Sequence, residues 1–230
     1  MTGLGIAAYG VGGAAVGVAL SVVIERVPDR RSVLAAPFPE IARAARTTEG
    51  LLVVVVTGGL FAGLAARLGD SWVLPAYLTL AAGLVALSAI DLRHFVLPNR
   101  VVFPLTAVSL VLLAMAAVAT DEADSLLRAV ACGVGALLAF TVLHVISPRA
   151  MGFGDVKLSF VLGLELGWLG VGETLLGLFL GFVYGAIVGV VLIATHLRSR
   201  KDHVPFGPFI AAGALTAVVI GDVILDWYRA

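Results

Sequence analysis

Residues 50–66 read GLLVVVVTGGLFAGLAA, an apolar run without one charged side chain. A spanning α-helix takes roughly 20 predominantly apolar residues to cross a hydrocarbon core of about 30 Å, and this run approaches that length. It is continuous, whereas the strands of a membrane β-barrel alternate apolar and polar positions. Working outward, seven further runs of the same kind lie near 3–24, 72–90, 101–119, 126–146, 158–170, 173–195 and 207–227. The pattern predicts an all-α, polytopic membrane helix bundle of about eight transmembrane helices. The run at 158–170 is the shortest and carries Glu165.

Composition agrees with the runs. The 230 residues are 60% hydrophobic and 13% charged, with a mean hydropathy of +1.08. A soluble domain is about 45–50% apolar and about 25% charged, so the excess apolar surface requires lipid as its solvent. The formal net charge of +0 gives no basic footprint for nucleic acid. No Lys or Arg precedes Arg26, and the first apolar stretch is longer than a signal-peptide h-region, so it reads as a retained first span. The single cysteine, Cys132, reads as a small packed residue. Glycine spacings such as Gly13/Gly17 and Gly181/Gly185/Gly189 predict close helix–helix approach.

Basic residues set the orientation, because Lys and Arg collect in cytoplasmic loops. Of the fifteen Lys and Arg, only Arg67, Arg128 and Arg229 fall on one side of an eight-span topology. The other side, read as cytoplasmic, holds Arg26, Arg30, Arg31, Arg43, Arg46, Arg93, Arg100, Arg149, Lys157, Arg198, Arg200 and Lys201. Residues 1–230 read as a single integral membrane domain, with 25–49 as its longest cytoplasmic loop. Within that loop PEIARAAR (39–46) predicts a short amphipathic helix on anionic headgroups.

Two aspartates stand at the cytoplasmic edge of this topology. Asp91 ends the third run in LSAIDLRHFVLPNR (87–100), and Asp155 precedes the sixth in SPRAMGFGDVKLSF (147–160). A lone carboxylate at such a boundary can simply cap a helix. Two on one side make a different proposition. Carboxylates sharing a partly dry site cannot both ionise easily, so one stays protonated. The ionised partner can then activate water while the protonated one donates to a carbonyl. Gly152 and Gly154 permit a tight turn and close approach of a substrate strand. Lys157 can tune the carboxylate or snorkel, and Pro98 and Asn99 read as a turn before the next helix.

With those residues in view, the chain resembles the type IV prepilin peptidases, of the GxGD class of membrane aspartic proteases. The resemblance rests on Asp91 within DLRHFVLPN and on Gly152-Phe153-Gly154-Asp155-Val156-Lys157-Leu158. It extends to Val204-Pro205-Phe206-Gly207-Pro208-Phe209 and to the LSVVIERVP segment at 20–28. It implies that Asp91 and Asp155 are the catalytic pair, with Gly152, Gly154, Lys157, Pro98, Asn99 and Glu25 as motif support or substrate contacts. The implied activity is cleavage of the short basic leader of pilin-like precursors at the cytoplasmic face, with no cofactor and no metal. Many bacterial members carry a cysteine-rich insertion in the first loop and also methylate the new N-terminus. The loop at 25–49 has no cysteine, so the resemblance does not carry methyl transfer with it.

Two other functions compete. GxGD proteases that cut inside transmembrane segments pair the motif with Tyr-Asp, and here Ile90 precedes Asp91. A proton-coupled transporter would use Asp91, Asp155, Glu165 and His144 as a relay, which needs carboxylates at successive depths. Glu25 reads as a partner of Arg26 or a neighbouring arginine, and His196 and His203 as solvated loop residues.

Overall fold

Apolar runs bounded by Pro, Gly and charge become helices because only internal backbone hydrogen bonding satisfies the peptide groups in an apolar surrounding. The computed structural model describes residues 1–29, 31–33, 36–148, 151–197 and 204–229. Arg30, Arg149, Arg198, Arg200, Lys201 and His203, which entered the sequence reading, lie outside them. Among the described residues the elements are α1 (Gly3–Arg26), α2 (Phe38–Arg46), α3 (Thr48–Leu68), α4 (Leu74–His94), α5 (Asn99–Thr120), α6 (Ala123–Ile146), α7 (Phe153–Leu169), α8 (Val171–Ala194) and α9 (Gly207–Arg229). The all-α expectation therefore holds. Seven helices are long and apolar enough to cross a membrane. The eighth, α7, has 17 residues and spans about 25 Å at a rise of 1.5 Å per residue. The helix expected at 39–46 is α2.

The helices form two compact units: residues 1–94 with 98–120, and residues 95–97 with 121–230. In the first unit α1 lies against α2, α3 and α4, and α4 also packs on α3 and α5. The α1–α3 approach is set by Gly17, where a Cβ would come within 2.6 Å of the Val54 Cα. Gly13 faces Phe61 and the Thr57 carbonyl just as tightly. A short clasp holds α2. Arg26 at the end of α1 donates from Nε to Glu40 at 2.9 Å and from Nη2 to the second Glu40 oxygen, and its Nη1 donates to the Ser32 carbonyl at 2.6 Å. Thr47 then turns the chain: its hydroxyl donates to the Ala44 carbonyl at 2.8 Å and accepts the Gly50 N–H at 3.0 Å, ending α2 and capping α3.

In the second unit α7 is enclosed by α6, α8 and α9. Its residues are buried on every face, as expected of a helix that is apolar all round. Gly163 and Gly167 let α6 approach, with Cys132 packed against Gly167, which is the small packed role read for this cysteine. Arg128 of α6 donates to the last carbonyls of α7, Gly167 at 2.9 Å and Trp168 at 2.6 Å. The Gly181 spacing also packs, against Ile210, but Gly189 meets nothing within 4 Å. That part of the glycine stripe is corrected: α8 runs on past α9 there.

Candidate active site

Each unit places one aspartate on its most enclosed helix. Asp91 lies in the last turn of α4, whose central window is 56% buried, the largest share of any candidate span. Asp155 lies in the first turn of α7. Both side chains are deeply buried, at 5% and 7% exposure. A carboxylate costs free energy in such surroundings, and this residue type is kept there mainly for function or pairing. The sequence reading put Asp91 at the end of its helix and Asp155 before its helix. The structure corrects both. α4 runs on to His94, and α7 begins at Phe153, five residues ahead of the apolar run, because Gly152 starts the helix without waiting for apolar residues.

Local geometry explains the start of α7. Gly152 is extended and serves as N-cap, and its N–H donates to Asp155 Oδ2 at 3.1 Å. This is the half of a capping box that a glycine cap allows, and it fixes the Asp155 rotamer. Gly154 sits where a Cβ would fall 2.8 Å from the Leu97 Cβ. Leu97 belongs to the three-residue link 95–97 that packs with the second unit. Glycine at 154 is therefore what lets the chain following α4 lie against the start of α7. Phe95 opens that link in the left-handed region, φ 55°, a conformation costing about 1–2 kcal/mol for a residue with a Cβ.

His144, whose role the sequence left open, holds the other side of this turn. Its Nδ1 lies 2.8 Å from the Met151 carbonyl, which can only accept, so Nδ1 carries the proton. Its ring stacks at 5.5 Å on Phe153, and the Lys157 ammonium sits 4.7 Å over the same Phe153 ring, a cation–π contact one turn from Asp155. No sequence motif signals the His144 contact, because it joins α6 to a loop through a backbone atom. Pro98 acts as read: its carbonyl accepts the Val101 and Val102 N–H groups at 2.9 and 3.1 Å and starts α5 at Asn99. Phe206 similarly opens α9, accepting from Phe209 at 3.0 Å, and stacks on Phe182 at 5.0 Å.

The remaining candidates divide. Glu165 is fully buried within α7, so it does not reach an interface. Glu25 is half-buried, and the Arg26 fork that was expected to engage it is taken by Glu40. Hydrogen bonding to Arg26, with Arg43 and Arg31 adding their charge, holds the Glu40 carboxyl below the usual carboxylate range. His196 is exposed, in the left-handed region at φ 57°.

Residues 78–190, which contain both aspartates, match the model of the type IV leader peptidase family. Relatives named prepilin leader peptidase/N-methyltransferase resemble the chain over most of its length. That of Stutzerimonas stutzeri is 35% identical over 76% of this chain and 60% of its own. That of Pseudomonas aeruginosa is 32% identical over 77% of this chain and 60% of its own. That of Legionella pneumophila is 33% identical over 63% of this chain and 50% of its own. The chain thus spans about 60% or less of the length of these relatives. No solved structure matches it.

Proposed function

We propose, starting from the membership of residues 78–190 in the type IV leader peptidase family, that this multi-pass membrane protein is an aspartic endopeptidase. Its substrates are pilin-like precursors, and the leader is removed at the cytoplasmic face of the bacterial plasma membrane. The observation that carries the reading is the burial of Asp91 and Asp155 at the ends of α4 and α7. The packing of Leu97, a few residues after Asp91, onto Gly154, immediately before Asp155, supports a shared site.

The chemistry follows from two carboxyl groups holding one proton. The ionised carboxylate takes a proton from water as the water oxygen attacks the scissile carbonyl carbon. The protonated partner donates to the carbonyl oxygen, which would otherwise gather negative charge. Collapse of the tetrahedral species breaks the C–N bond, with a proton delivered to the amine. The pair titrates as a unit. Lys157, half-held by the Phe153 ring, adds positive charge to this end of α7. The reading is confined to peptide cleavage: loop 25–49 lacks the cysteines that accompany the methylating relatives.

The test is cleavage of a pilin-like precursor in membranes by wild-type, Asp91→Asn and Asp155→Asn proteins. Asn keeps the size and removes the titration. Cleavage falls to background in both variants at normal insertion and abundance. Cleavage by either variant sinks the proposal. Glu165, ten residues beyond Asp155 and so about 15 Å further along α7, gives the transporter reading a second depth. Proton flux in proteoliposomes that disappears in Asp91→Asn, from a protein that cuts nothing, would favour that function instead.

A further inference from the structure

One end of the first unit contains a cavity of about 240 Å³ to which α1, α2, α3 and α4 all contribute. Its floor is buried and largely aliphatic, from Ile24, Ala44 and Val53, with the Ser21 hydroxyl as the polar exception. Glu25, Glu49 and Arg93 complete the lining. The walls are held from outside by the Arg26–Glu40 clasp and by the Thr47 turn that presses Gly50 onto the Ala44 carbonyl. The space is smaller than the roughly 300–1,000 Å³ of small-molecule pockets, and suits one long side chain.

The charges select which side chain. Two carboxylates face one guanidinium, and Arg93 is paired with Glu49. Glu25 therefore leaves the lining net negative. Ser21 lies one turn before Glu25 on the same face of α1. Its hydroxyl proton goes to the Val18 carbonyl at 2.7 Å, so toward a ligand its oxygen acts as an acceptor. Aliphatic walls ending in acceptors complement an aliphatic stem ending in a donor-only cation, which describes Lys and Arg.

The position relative to Asp91 sets the register. Ala89, Leu92 and Arg93 of α4 line the cavity, and Asp91 does not. At 3.6 residues per turn Asp91 points roughly away from them, across a helix about 10–12 Å in diameter. An extended chain covers that distance in about three or four residues. We propose that this cavity is a specificity subsite that seats a Lys or Arg side chain of the substrate, about three or four residues from the scissile bond. The proposal rests on the peptidase reading above and adds the residues that select the substrate.

The experiment compares two precursors in membranes, one with basic residues near the cleavage point and one with those residues changed to Gln. Each is offered to wild-type, Glu25→Gln, Glu49→Gln and doubly substituted protein. The quantity read is the ratio of kcat/KM for the basic over the neutral precursor. Abundance and folding cancel in that ratio, because both precursors meet the same preparation. The wild-type ratio is about ten, in the range of charge-assisted hydrogen bonds; it falls to about three in Glu25→Gln and near one in the double variant. Glu25→Lys paired with a precursor carrying Glu at the same positions restores a preference of the opposite sign. A double variant with the wild-type ratio, or a wild-type ratio of one, overturns the subsite while leaving the peptidase reading intact. Failure of wild-type protein to cut either precursor strikes the peptidase reading itself.

Discussion

Replacing Gly154 by alanine sets two effects of opposite sign against each other. Gly154 is in the first turn of α7, and helix propensity alone favours alanine by up to about 1 kcal/mol. Sterically the new Cβ would sit 2.8 Å from the Leu97 Cβ and 3.3 Å from its Cδ1. Carbon atoms rest at about 3.5–4.0 Å, so the pair must separate by roughly 0.7–1 Å. The Leu97 Cβ is fixed to its backbone and cannot rotate aside, so either the 95–97 link or the start of α7 has to move. Overpacking of this kind costs about 1–3 kcal/mol, which outweighs the propensity gain. Catalysis is less tolerant than folding, since a displacement of about 1 Å can cost roughly 100-fold in rate. Gly154→Ala should therefore insert and accumulate normally while kcat/KM for precursor cleavage falls about 10- to 100-fold. Adding Leu97→Gly removes the opposing Cβ and should recover much of that loss. Quantitative cleavage in membranes at matched enzyme levels measures both. Wild-type activity in Gly154→Ala, or a double variant no better than the single one, would refute the steric reasoning.

Three further outcomes are expected. Gly17→Ala, whose Cβ would press on the Val54 Cα, should destabilise the α1–α3 contact by about 1–3 kcal/mol, whereas Gly189→Ala, with open space around it, should be neutral or stabilising; thermal unfolding in detergent distinguishes them, and equal shifts would contradict the packing. Arg128→Met removes the donors to the Gly167 and Trp168 carbonyls and should cost roughly 2 kcal/mol, with Arg128→Lys intermediate because an ammonium lacks the fork. Arg26 holds the Glu40 carboxyl low in the folded state, so its contribution to stability is complete above the unfolded value of about 4.3 and is lost as pH falls through the lower folded value. Amide exchange in α2 should accordingly be constant from neutral pH down to about 4 and rise in stronger acid, and exchange that stays flat into that acid range would show that the clasp does not hold α2.

The sequence alone determined the helical class, the positions of the spans, and the identity of Asp91 and Asp155 as the carboxylates to watch. Apolar runs and charge placement are read along the chain, and the bilayer-sized period of the runs needs no knowledge of neighbours. Even α2 was legible, because its amphipathic spacing is local. What the sequence left open depends on which faces meet. Gly17 and Gly189 look alike in a glycine stripe, yet only Gly17 has a helix pressed on it. Glu25 and Glu40 were both within reach of Arg26 along the chain, and the fold of the first loop gave the arginine to Glu40. The early start of α7 reflects a Gly152 cap satisfied by Asp155 itself. The His144–Met151 contact and the Glu25–Glu49 cavity join segments far apart in sequence. Local apolarity fixes where a helix forms, but the partner of each face is chosen by close packing between distant segments, where a single Cβ decides whether two backbones can approach.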